Sequence, residues 1–152
     1  MLAEIDSRAG MSPIVKTAVR LVAGFILLFG AYIVAYGHLT PGGGFAGGVI
    51  IACSPILLLL ACGRKFVRGI VGDRAVTIWD CVGALAFLAI AAAGYWGGAF
   101  FQNFWAKGEA FHLFSAGAMP LSNAAIGVKV GACLFGVFCA LAAFRPTAER
   151  KG

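Results

Sequence analysis

Two ionisable residues stand inside long apolar stretches of this sequence, Lys129 in AAIGVKVGACLFG and Asp80 in AVTIWDCVGALAF. A charge placed in lipid is costly, and such residues commonly mark an ion or proton route. Lys129 and Asp80 are therefore ion-path candidates, each with a plainer alternative. The lysine could run its stem along apolar surface to the interface. The aspartate could be a helix-start carboxylate near Arg74 or Lys65. His38, in the segment GHLTPGGGFAGG, is a third candidate because imidazole changes charge near neutral pH. Its alternative is a hydrogen-bonding role at the membrane interface. His112 has no companion residues and receives no role.

No nucleophile, base or metal-ligand set gathers in one place, so no catalytic residue is assigned and an independent enzyme is not expected. The five cysteines, Cys53, Cys62, Cys81, Cys133 and Cys139, include no CxxC pair. They read as small buried apolar side chains, with no metal site and no cofactor bound by this chain.

The elements that must position Lys129 and Asp80 follow from composition. Of 152 residues 61% are apolar, the charged ones are 12 basic and 6 acidic, and the mean hydropathy is +0.94. A soluble domain carries about twice that share of charge, so the chain reads as solvated by lipid. Disorder, nucleic-acid binding and a secreted disulfide scaffold are disfavoured together. A membrane-spanning helix needs about 20 mostly apolar residues, and four windows qualify, at about 14–36, 45–62, 75–98 and 123–144. The expected fold is an all-α integral membrane protein of four transmembrane helices forming a single membrane domain over 1–152. The opening MLAEIDSRAGMSP lacks the short apolar core and cleavage site of a signal peptide, so the first window is expected to stay as an anchor.

Basic residues alternate along the chain. Arg8, Lys16 and Arg20 precede or open the first window, and the connection 37–44 has none. Arg64, Lys65, Arg68 and Arg74 fill the second connection, Lys107 stands alone in the third, and Arg145, Arg150 and Lys151 follow the last window. The positive-inside bias then puts both termini in the cytoplasm. Lys16 and Arg20, one helical turn apart, share a face. The cluster FFQNFW, Phe100 to Trp105, suits an aromatic belt at the outer surface or a neighbouring subunit.

The glycine-rich connection contains Gly42, Gly44 and Gly47 in the spacing GxGxxG. A dinucleotide fingerprint also needs a preceding strand and an acidic residue about 20 positions on, and position 67 is valine. A phosphate-binding loop fails too, because no Lys-Ser or Lys-Thr follows. What remains is backbone freedom, with Pro41 blocking continuation of the helix. The segment is either a tight outer-face turn, with His38 and Thr40 as its polar members, or unwound backbone lining a polar cavity. Gly127 and Gly131, four apart in the last window, suit close approach of two helices. Lys129 lies about 200° around that helix from Gly127 and so meets a different neighbour. Pro55 should bend the second span.

The string YGHLTPGGGFAGGVI, Tyr36 to Ile50, resembles the signature of the MnhB-type family, the B subunits of Mrp-type multisubunit sodium/proton antiporters. Its relatives occur in membrane-bound hydrogenase-type respiratory complexes. The resemblance implies that Pro41, Gly42, Gly43, Gly44, Phe45, Gly47 and Gly48 form a structural signature. It also implies other membrane subunits as partners, sodium or protons as the transported ions, and a prokaryotic cytoplasmic membrane as the location. The run MPLSNAAIGVKVG, Met119 to Gly131, departs from the acidic pattern of antiporter members and is more similar to variants coupled to a redox arm. Two roles follow: a transport-associated subunit contributing Lys129, Asp80 or His38, or a structural subunit without an ion path of its own.

Counting from the window ends puts Lys129 and Asp80 each about 9 Å deep from opposite sides, which leaves about 12 Å of a 30 Å core between them. The expectation is that their charged atoms do not touch within this chain.

Overall fold

The computed structural model describes residues 11–39, 41–98 and 117–143. Thr40, the FFQNFW cluster, Lys107, His112, Arg8 and the basic residues Arg145, Arg150 and Lys151 lie outside the described residues. Helix α1 spans Pro13–Ala35 and α2 spans Gly43–Cys62. A short α3, Arg64–Ile70, precedes α4, Asp73–Ala93, which tightens into a 3-10 turn over Gly94–Gly97. The last helix, α5, spans Met119–Ala143.

Four of these helices are long and apolar enough to cross a membrane: α1, α2, α4 with its 3-10 extension, and α5. Their starts carry local signals. Ser12 caps α1, its hydroxyl oxygen accepting from Val15 N–H at 3.4 Å, and Pro13 follows in the first turn, where its missing donor costs nothing. Pro120 does the same in the first turn of α5. That signal puts the start of α5 four residues before the expected 123. The expected connection between the second and third spans contains the helix α3, whose Val67 is buried against Leu59 and Phe135.

The spanning helices pack in a row. Helix α1 lies on α2, α2 on α5, and α5 on α4, with only light contact between α1 and α5. At one end α3 folds back under α2, and Arg20 of α1 stacks over the Phe66 ring 5.0 Å from its centroid. The basic start of α1 and the basic second connection therefore share one end of the molecule.

Backbone contacts set the spacing along the row. A methyl group on Gly30 would stand 3.2 Å from the Gly47 carbonyl oxygen, and one on Gly47 would stand 3.0 Å from the Gly30 carbonyl oxygen. Helices α1 and α2 thus cross in close backbone contact, with the Ile51 and Val34 side chains set against the two glycines. Beside that crossing, the buried Ser54 hydroxyl donates to the Ala23 carbonyl at 2.8 Å. This bond ties α1 to α2 next to Pro55, which supplies no donor of its own. On the other flank of α2, a methyl group on Gly48 would stand 2.7 Å from the Gly127 carbonyl oxygen, and Gly44 abuts the backbone of Asn123. Gly131 approaches the Gly48 carbonyl oxygen in turn.

The glycine-rich segment therefore divides in two. Residues 36–39 form a turn, and α2 starts at Gly43, so that Gly44, Gly47 and Gly48 are helical packing positions. Only Gly42 (φ 152°) and Gly43 (φ 68°) require a left-handed backbone. Phe45 points away from the row and is exposed.

The cysteines differ from expectation. Cys53, Cys81 and Cys133 are exposed and Cys62 and Cys139 half-buried, all as free thiols. The three exposed ones sit on outward helix faces, whereas Cys139 packs against the Leu59, Val67 and Phe135 cluster.

Candidate functional site

Lys129 and Asp80 meet. The Lys129 ammonium donates to Asp80 Oδ1 at 2.8 Å, closing an ion pair between α5 and α4. The expectation that the two charges stay apart is overturned, and helix boundaries supply the reason. Lys129 is ten residues beyond the start of α5 at Met119, or about 15 Å along it. Asp80 is seven residues beyond the start of α4 at Asp73, or about 10 Å. The two helices enter from opposite ends, so a core of about 30 Å leaves only about 5 Å along the normal, within reach of a lysine arm.

Gly83 completes the geometry. It lies three residues from Asp80, on the same face of α4. A methyl group there would stand 2.8 Å from the Lys129 backbone nitrogen and 3.0 Å from its Cα. The missing side chain lets α4 press directly on the backbone that carries the lysine. Sequence reasoning missed Gly83 because the residues four positions away, Trp79 and Phe87, are large, so no small-xxx-small motif marks it. Its spacing from Asp80 was the available signal.

Among the described residues Asp80 pairs with Lys129 and not with Arg74, and the ammonium turns sideways to the carboxylate instead of running to the interface. The pair is open on one side: 45% of the Lys129 side chain and 35% of the Asp80 side chain are exposed. The face of α5 opposite Lys129 is closed by Gly127 and Gly131 against α2. Helix α5 thus carries a tight glycine face and a charged face at once, as the 200° offset in the sequence implies.

The turn that carries His38 packs elsewhere. Gly37 sits beside Asn123, six residues before Lys129 on α5 and so about 9 Å along it. The His38 Nδ1 is buried in that turn. The structure thus joins two of the three ion-path candidates and sets the third toward one end of the helices. Another side of the α4–α5 seam holds an open groove of about 310 Å³, lined by Trp79, Val82, Ala86, Leu121 and Val128. Its walls offer no ligand for a cation. No group of three metal-ligating side chains exists among the described residues.

Residues 14–136 match the family described as a domain related to the MnhB subunit of Na+/H+ antiporters. The chain belongs to the MnhB family. An uncharacterised protein of Methanocaldococcus jannaschii is 30% identical over 134 residues, covering 78% of this chain and 48% of that protein. The B subunit of the Na+/H+ antiporter of Bacillus subtilis is 51% identical over 57 residues, 38% of this chain and 40% of that protein. Among solved structures, a chain of the membrane-bound sulfane sulfur reductase, an archaeal respiratory membrane complex, superposes with a TM-score of 0.71. It is 34% identical, and the match covers 83% of this chain and 56% of that one. The chain thus spans about half the length, or less, of these proteins.

Proposed function

We propose that this chain is a membrane subunit of a multisubunit sodium/proton antiporter, or of the antiporter-like part of a redox-driven respiratory complex, with Lys129 and Asp80 as a polar station on its ion route. The observation that carries this reading is the half-open ion pair deep within helices that otherwise offer apolar surface. Membership of the MnhB family supports the setting. The likeness to a chain of an archaeal respiratory complex supports the redox-driven branch.

The chemistry follows from the pair itself. A carboxylate held by one ammonium can exchange that partner for another cation. A sodium ion or proton arriving at Asp80 competes with Lys129 for the same oxygens. The released ammonium then turns to a different acceptor, and departure of the cation restores the pair. Such a station relays charge without a bound cofactor. Both termini lie in the cytoplasm of a prokaryote in this reading, which the shared end of the basic start of α1 and the basic connection before α4 supports.

The test uses the complex in its own membrane. A tag on this chain should bring down other membrane subunits, and inverted vesicles should show sodium- or redox-driven proton movement. Lys129→Ala should abolish most of that movement while the subunits still copurify. Unchanged transport at normal assembly would reject the ion-route role and leave a structural subunit.

A further inference from the structure

We propose that the open side of the Lys129–Asp80 pair is the docking surface for a transmembrane helix of another subunit, one that brings hydrogen-bond acceptors to the depth of Lys129. The inference rests on the reading of the chain as a subunit of a membrane complex, and it names the partner of the same pair.

Three observations lead there. The first is valence. The Lys129 ammonium has three donors, and among the described residues it spends one, on Asp80 Oδ1. The remaining donors meet no acceptor among the described residues, and 45% of the lysine side chain is exposed. Hydrocarbon cannot satisfy them, and the arm cannot run to the interface while it is held by Asp80.

The second is shape. Cys133 lies one turn beyond Lys129 on α5, and Ala84 one turn beyond Asp80 on α4. These small side chains flank the pair, Cys133 exposed and Ala84 half-buried, and small residues are what allow a further helix to approach closely in a membrane.

The third is position in the row. Helix α4 packs on α5 at the end of the row and meets no other spanning helix to a comparable extent. The open side of the pair is therefore left uncovered by α1 and α2. A helix carrying carboxylate, amide or hydroxyl oxygens would satisfy the ammonium and complete the seam.

The experiment uses the intact complex purified through a tag on this chain, with p-benzoylphenylalanine at position 133. Irradiation should join this chain to a single other subunit. The cross-linked peptide should be an apolar segment that contains an acidic, amide or hydroxyl side chain. In the same background Lys129→Ala should lower the cross-linking yield several-fold. Adducts with lipid alone would overturn the proposal. So would modification of native Cys133 in the intact complex by a charged, membrane-impermeant thiosulfonate, because that result requires an aqueous cavity. If position 133 does not tolerate the probe, Val137, one turn further and exposed, carries it with the same criteria. Transport measured on the Lys129→Ala complex separates the two readings. Normal transport in that variant, with a strong cross-link from position 133 when Lys129 is present, removes the ion-route role and keeps the docking surface, whereas lost transport in the variant, with lipid adducts alone when Lys129 is present, does the reverse.

Discussion

Lys129 and Asp80 neutralise each other's charge, and removing either leaves an uncompensated charge in a low-dielectric setting. Asp80→Ala should therefore lower the amount of chain in the membrane more than Asp80→Asn does, as read by immunoblot of membranes from matched cultures. The double substitution Lys129→Met with Asp80→Leu removes both charges and keeps apolar volume, so it should recover the membrane level of the wild type. Transport should stay lost in that double variant. Recovery of both level and transport would show that the charges serve packing alone. The residue types were legible in the sequence, since two charges in apolar runs are conspicuous. Their contact was not, because it depends on where α5 begins. Pro120 carried that information, and a shift of four residues moves a side chain about 6 Å along a helix.

At the scale of elements, backbone contact between helices decides what can change. Gly83→Ala adds a methyl group 2.8 Å from the Lys129 backbone nitrogen, where neither helix can yield locally. The expected cost is about 1 to 3 kcal/mol of overpacking, seen as a lower melting temperature of the solubilised complex and as weakened transport. Gly44 and Gly43 should separate two effects. Gly44 abuts the Asn123 backbone, so Gly44→Ala should block association of α2 with α5. Gly43 has room but a left-handed backbone, so Gly43→Ala should cost about 1 to 2 kcal/mol and still assemble. Comparing subunit incorporation of the two variants checks this order. Ser54→Ala removes the hydroxyl bond to Ala23 and should cost about 0.6 kcal/mol, a small loss of thermal stability with normal incorporation. The glycine-rich signature was legible as a backbone device. That most of its glycines lie inside α2, and that Gly83 completes the charged seam, depends on helix pairing, which a single sequence does not reveal.

For the molecule as a whole, four apolar windows and the alternation of basic residues were enough to read the number of spanning helices. The open row was not legible, because apolar side chains look alike whether they meet a helix, a lipid or a partner. Much of that surface stays uncovered, including Leu28, Phe29, Leu85, Leu88 and Val137. The proposed orientation predicts that reporters fused before α1 and after α5 both give the cytoplasmic signal, and a reporter between α1 and α2 the opposite one. The row also has a mechanical meaning. Helix α5 is gripped along one side by α2, carbonyl against glycine at Gly48 and Gly127, while its opposite side holds the lysine. Turning α5 by a single residue would swing each of these by about 100° and break the glycine seam together with the ion pair. Of the two helices that carry the charges, α4 alone is free of that grip. On the proposed ion route, the degree of freedom that opens the pair is thus a displacement of α4 as a whole, Gly83 contact included, from the frame of α1, α2 and α5.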